Sequence, residues 1–239
     1  YFLQREMQAR HGVPASWIKY RTRAMSGGFS GGTFDSMMTM MEQAQEDPSI
    51  RKVLADPYAL NPPGARSGLD GTDRNTPTYD EDFNAWVGPF VMSQINTRVV
   101  RRSNALMDFR YGHDFRYDEA SIMPGGAMGG MAAAGMSITM ATVNALAAFA
   151  PTRSLLQAMG PKPGEGPSEQ AQRDGHFHIE LLAQHPSDRS LDLRADVRGD
   201  RDPGYGSTAK MLSECAVCLA QDELPVGGGF WTPASAMGD

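Results

Sequence analysis

The chain has 239 residues, with 22 Lys+Arg against 28 Asp+Glu and a formal net charge of −6. That length supports one large domain or two small ones, and a hydrophobic content of 41% excludes disorder of the whole chain. The acidic balance, with no Lys/Arg block, argues against nucleic acid as a main partner, and two cysteines exclude a disulfide-stapled scaffold.

Tyr1 to His11 reads as a short helix closed by Gly12 and Pro14. The first residue is not Met and no signal peptide follows, so the chain reads as a piece of a longer protein. From Trp17 to Met25, Ile18, Tyr20, Thr22 and Ala24 alternate with Lys19, Arg21 and Arg23, which predicts a half-buried strand with one wet face. A glycine cluster, residues 26–32, turns the chain. Phe34, Met37, Met38 and Met41 then follow the i, i+3, i+4, i+7 spacing of an amphipathic helix. At this junction Ser30, Gly31, Gly32 and Thr33 offer N–H groups to an anion or a cofactor's polar edge. A structural turn with Thr33 as N-cap, and Asp35 complementing the dipole in the first turn, is an equal alternative.

Residues 57–88 are polar and dense in Pro, Gly, Asp and Asn, and read as a long surface loop. Phe90 to Leu106 reads as a helix carrying Asn96, Arg98, Arg101 and Arg102. Its three arginines share one face, which suits bidentate binding of a carboxylate or phosphate, although a salt-bridged face is commoner. The aromatic passage from Tyr111 to Tyr117 suggests a short strand. Residues 120–152 contain no Asp, Glu, Lys, Arg or His and read as a charge-free helical insertion. Gly126, Gly130 and Ala134 allow close helix contact there. A helix packed against protein, across a dimer or within the chain, is favoured over an interfacial anchor or a membrane span.

After a Pro/Gly linker from Pro161 to Glu169, residues 176–222 read as a hairpin followed by a helix. Phe177, Ile179, Leu181 and Ala183 alternate with His178, Glu180 and Gln184, and Pro186-Ser187-Asp188 makes the turn. Leu191, Leu193, Ala195 and Val197 then alternate with Asp192, Arg194, Asp196 and Arg198. His176, His178 and Glu180 share a strand face, but no third ligand region is legible and no metal is expected. Gly204-Tyr205-Gly206-Ser207-Thr208-Ala209 matches G-x-G-x-x-A, the pattern that brings backbone N–H groups to a pyrophosphate. Here the preceding strand is half-solvated rather than buried, and Asp202 sits where phosphate would approach, so a tight strand-to-helix turn is the preferred reading. Cys215 and Cys218 lie on an apolar helix face with Met211, Leu212, Ala216 and Leu219, and read as core thiols. The whole predicts an α+β fold: a mixed or largely antiparallel sheet, helices packed on one face, and the charge-free helical insertion.

Six stretches in this order are similar to one family: residues 1–6, Ser30 to Thr33, Asn96 to Leu106, Pro163 to Ser168, Gly199 to Gly206, and Leu224 to Ala236. Together they resemble the saccharopine dehydrogenase-like oxidoreductases, including the trans-acting enoyl reductases of lipid assembly. The resemblance implies an NAD(P)-dependent reductase acting on a hydrophobic or lipid-linked substrate. It places the dinucleotide mainly on an N-terminal Rossmann domain that lies upstream of the residues present here. These residues would then form the substrate and oligomerisation region. The implied setting is cytoplasmic, with peripheral membrane contact and homo-oligomer formation. None of the matching motifs identifies a catalytic residue. Residues 30–33, Asn96, Arg98, Arg101, Arg102 and the Gly204-Tyr205-Gly206 turn are the candidates to face substrate or cofactor. A non-catalytic lipid- or membrane-binding module that keeps the family fold is the alternative.

Overall fold

The computed structural model describes every residue except Phe29, Pro124 and Asp239. Six strands form one mixed sheet in the order β2-β3-β4-β1-β5-β6. These are β1 (Trp17–Ser26), β2 (Thr78–Asp80), β3 (Ala85–Gly88), β4 (Arg116–Ile122), β5 (His176–Gln184) and β6 (Leu193–Gly199). Only β1 and β4 pair in parallel, and the other neighbours are antiparallel. The fold is α+β, as the patterning predicts.

The strand registers separate two faces. Ile18, Tyr20 and Thr22 lie beside Tyr117, Glu119 and Ser121 on one face, with Ala183, Leu181 and Ile179 across from them. Helices α1 (Phe2–His11) and α4 (Ser93–Leu106) cover this side. Leu3 and Met7 of α1 join Ile18, Phe115, Tyr117 and Ala183 in the main core. Gly12 ends α1 in the left-handed region, at φ 74, where a residue without Cβ escapes strain. The charge-free stretch supplies α5 (Gly126–Ala148) and α6 (Ala150–Met159). Against the same face of the sheet, α5 lays Gly130 on Trp86 and Ala133 on Gly88.

The other face of β1 is not wet, which corrects the expectation for Lys19 and Arg21. The β2–β3 turn covers them, with Phe83 over Arg21 at 5.5 Å, and those side chains are 9% and 0% exposed. Lys19 pairs with Asp80 and Asp82 at 3.0 and 2.5 Å, and Arg21 pairs with Asp80 and Asp118 at 2.7 and 3.0 Å. Only Arg23, at a bulge between Thr22 and Ala24, stays exposed, and it meets Glu180 at 2.6 Å.

Residues 57–88 are correspondingly more than a surface loop. They carry β2 and β3, and they bury Tyr58, Asn61, Asp80, Phe83 and Val87. Short strands with few apolar positions leave no period to read, so the tertiary ion pairs rather than the local pattern define them. The preceding helix α3 (Pro48–Ala55), capped by Asp47 on Ser49 N, also lies outside the expected elements, although Ile50, Val53 and Leu54 keep the i, i+3, i+4 spacing. The strand expected at 111–117 runs from Arg116 to Ile122 instead and takes the start of the charge-free run into the sheet. That run is also broken between α5 and α6 at Phe149, with Pro151 in the first turn of α6.

The turn between β5 and β6 is longer than Pro186-Ser187-Asp188 and contains a 3₁₀ turn from Arg189 to Leu191. The register sets Glu180 opposite Asp196, so the charges find partners off the direct pairing: Glu180 on Arg23, Asp196 on His178. Helix α7 (Glu169–Asp174) leads into β5, and α8 (Gly206–Gln221) and α9 (Pro233–Met237) complete the chain. Cys215 and Cys218 are only half-buried, and Met211, Leu212 and Leu219 are exposed, which corrects the core-thiol expectation. An amphipathic sequence demands a partner for its apolar face, and α9 meets α8 without burying Met211, Leu212, Val217 or Leu219.

Removing Asp80 leaves the buried Arg21 with Asp118 alone and Lys19 with Asp82 alone. Asp80→Ala is expected to lower stability by about 3 kcal/mol, read from the midpoint of urea unfolding.

Candidate functional site

The three arginines of α4 are taken up by contacts within the chain, Arg98 and Arg101 buried and Arg102 at the surface. Arg98 reaches Asp73 at 2.7 Å and the carbonyl of Leu54 at 2.8 Å. Arg101 reaches Asp70 at 2.9 Å and donates to the carbonyls of Pro57 and Tyr117. Arg102 donates to the carbonyls of Leu60 and Phe230. These contacts lash the 54–73 segment over the first half of β4, where β3 does not pair. Asp70 completes the attachment by accepting from Tyr117 N at 3.1 Å. Asn96 points elsewhere, as described below.

The other two candidate groups are also closed by the chain. Gly31 N donates to the carbonyl of Glu165 at 2.8 Å, and Thr33 N to Ser30 Oγ at 3.0 Å. Ser30, not Thr33, is the N-cap of α2 (Gly31–Glu46), so Asp35 falls beyond the first turn. Gly31 is required because a Cβ there would stand 1.7 Å from the carbonyl oxygen of Lys162. At the G-x-G-x-x-A turn, the fully buried Asp202 accepts from Tyr205 N at 2.7 Å and from Gly206 N at 3.0 Å. Its carbonyl takes Ser207 N as well. A protein carboxylate therefore holds the N–H groups that a pyrophosphate would need, and these residues do not fit a dinucleotide.

His178, Glu180 and Asp196 bring ligand atoms within 4.8 Å of one another, in place of the His176, His178 and Glu180 set considered from sequence. Arg23 grips Glu180 with two hydrogen bonds, at 2.6 and 3.0 Å, so the cluster already contains its cation.

The arrangement with chemical potential lies on the helix-covered face of the sheet. An apolar cavity of about 570 Å³ opens between α1, α4 and the strands. Tyr20, Leu181, Leu193 and Ala195 floor it, and Leu3 and Val100 wall it. Tyr117 borders this cavity and also a polar cleft of about 410 Å³ that holds Asp73, Arg101 and Asp118. Between the two, the Tyr117 hydroxyl donates to Glu119 Oε1 at 2.8 Å, and Asn96 Nδ2 donates to Oε2 at 3.0 Å.

Glu119 is 3% exposed, and burial raises its carboxyl to about 7, reinforced by Asp73 and Asp118 and opposed by its two donors. Burial likewise pushes the Tyr117 hydroxyl well above its ordinary range, with Glu119 adding to the shift. The Tyr20 hydroxyl is raised for the same two reasons. The arrangement thus offers an apolar space, a protonated phenol at its wall and a carboxyl poised to exchange a proton near neutral pH. Of the sequence candidates, only Asn96 reaches this cluster. Tyr20, Tyr117 and Glu119 were missed. Their signal was an ionisable residue on the apolar side of an alternating strand, Tyr117-x-Glu119-x-Ser121, hidden because β4 was placed too early.

No family model matches the chain, and no solved structure matches it. Curated relatives do. A provisionally named trans-acting enoyl reductase of Mycobacterium tuberculosis is 35% identical over 233 residues, covering 91% of this chain and 54% of the relative. The trans-acting enoyl reductase of Mycobacterium bovis is 34% identical over 221 residues, covering 88% and 52%. That of Mycobacterium ulcerans is 33% identical over 226 residues, with the same coverage. The named relatives are enoyl reductases. The chain spans about half the length of the curated relatives it matches.

Two outcomes follow from this geometry. Arg101→Ala, which leaves the buried Asp70 with only Arg116 at 3.9 Å, is expected to lower stability by roughly 3 kcal/mol, as for a broken buried pair, read from the midpoint of urea unfolding. Glu119 has a folded-state pKa of about 7 against an ordinary 4.5, so its contribution to stability is full below 4.5 and is lost as pH rises through 7. Glu119→Gln removes that loss: urea unfolding at pH 8 should show the variant more stable than the parent by up to about 3 kcal/mol, a gap that narrows as pH falls and closes by about pH 4.

Proposed function

We propose that this chain is the substrate-holding part of an NAD(P)-dependent enoyl reductase of the saccharopine dehydrogenase-like type, acting on a hydrophobic, lipid-linked substrate. The observation that carries this reading is the apolar cavity bordered by Tyr117, whose hydroxyl donates to Glu119 of the adjoining polar cleft, in a chain whose relatives are named enoyl reductases. The cavity volume lies in the ordinary range for ligand sites, and its lining matches an aliphatic chain. Leu3, Val100, Leu181 and Leu193 exclude water from the bound chain. Tyr117 and Glu119 hold a proton at the cavity wall and connect it to the polar cleft. The nicotinamide supplies hydride chemistry when bound, and its site is assigned outside these residues because Asp202 fills the one glycine turn that matches a fingerprint.

Calorimetric titration tests the assignment. A medium-chain enoyl thioester is expected to bind in the micromolar range, and Val100→Trp, which fills the cavity, should weaken it at least tenfold, about 1.4 kcal/mol, with the melting temperature nearly unchanged. NADPH and NADH should give no micromolar binding, and Gly204→Val should change nothing in that titration. Thioester affinity indifferent to Val100→Trp sinks the reading.

A second reading, a lipid- or membrane-binding module, is favoured by one observation. Among the described residues α5 is the one helix long and apolar enough to cross a membrane, and Met128, Met131 and Ile138 are exposed on it. Its remaining stripe packs on β3, so in the leading proposal α5 stays with the protein and offers only peripheral contact to a cytoplasmic membrane surface.

A further inference from the structure

We propose that β6 pairs antiparallel with β6 of a second copy of this chain, about a two-fold axis at Ala195. The two edges of the sheet are unequal. β2 is three residues long and follows Pro77, whereas β6 has seven residues and no described strand on its outer side. A strand edge with free N–H and C=O groups recruits another strand unless it is blunted by shortness, proline or charged side chains. β6 has neither the shortness nor the proline, and its charges can be met by charges of the opposite sign. Its charges alternate in sign along one face, Arg194, Asp196 and Arg198, while Leu193, Ala195 and Val197 line the other. Val197 is 43% exposed.

Charge selects the register. Pairing centred on Asp196 overlaps all seven residues but sets Asp196 against itself and Arg194 against Arg198. Centring on Ala195 sets Arg194 opposite Asp196 twice, Leu193 opposite Val197 twice and Arg198 opposite Asp192. Directly opposed pairs of unlike charge or of apolar side chains stabilise a ladder, and like charges oppose it. Centring on Val197 also matches charges, but it runs past Gly199, where the strand ends, and sets Leu193 opposite Arg201.

This pairing completes the cavity described above. Leu193, Ala195 and Val197 carry the cavity floor out to the sheet edge, and the second copy's strand continues it with the same three side chains. The significance for substrate rests on the proposed function. The pairing itself rests on the strand.

Sedimentation equilibrium of the protein at micromolar concentration is the test. The parent chain is expected to be a dimer. Asp196→Arg, which faces Arg194 with a like charge, should weaken association at least tenfold. The exchange of Arg194→Asp with Asp196→Arg should restore it, with circular dichroism confirming the fold of each variant. With Cys215 and Cys218 replaced by Ser, Ala195→Cys meets its own copy about 5 Å away between Cβ atoms and should form a disulfide-linked dimer under mild oxidation. Asp196→Cys, whose opposite residue is Arg194, should not. A monomeric parent, a folded Asp196→Arg variant that dimerises normally, or faster cross-linking through position 196 overturns the proposal. Thioester titration runs separately, so failure of the ligand reading leaves these outcomes untouched.

Discussion

Two cations on the central strand have to be neutralised without water. Lys19 and Arg21 sit between β4 and β5, and a charge buried there unpaired would cost more than a small domain can spare. Asp80 and Asp82 answer them, and both belong to the β2–β3 hairpin or its turn. The hairpin is thereby fixed in place together with its buried Phe83, Ala85 and Val87. Its position then exposes Gly88 and Trp86 as the seat for α5. Buried pairs of this kind add little net stability compared with apolar packing, but they fail badly when the register is wrong.

The same logic repeats on the opposite face. Arg98 and Arg101 bind Asp73 and Asp70, and so draw an irregular segment across the unpaired half of β4. That segment excludes water from Glu119 and sets Asp73 near enough to reinforce its raised pKa. The arginines therefore act on the Tyr117–Glu119 pair at one remove, by shaping its surroundings. An acid whose pKa is moved toward neutrality next to an apolar cavity is a common mark of a working site. The cavity, the pair and the polar cleft lie in sequence across the same stretch of β4.

Two surfaces remain open on this framework. One is the helical layer of α5, α6 and α8, whose exposed methionines and leucines ask for cover. The other is the β6 edge beside the cavity. Since the chain spans about half of its named relatives, the catalytic assembly they represent is larger than the residues described here. The carboxylate at the G-x-G-x-x-A turn shows how a fingerprint can be kept in letters and closed in structure.

The sequence by itself determined the elements whose periodicity is strong and whose ends carry caps: α1 with Gly12, β1, the Met-rich α2, the arginine helix α4, and the β5–β6 hairpin. It also showed that Asp202 stands before the glycine turn, because that conflict is local. It could not determine β2, β3 or the start of β4, since short strands held by ion pairs have no period to read. Nor could it decide which side of β1 meets water, because alternation reports two faces and only the tertiary packing, helices on one side and the β2–β3 turn on the other, says that both are covered. Glu119 was invisible for the same reason: its pKa comes from burial beneath α4 and the loop that Arg98 and Arg101 hold down. Local chemistry wrote the elements, and desolvation, which exists only once the layers are assembled, made the site.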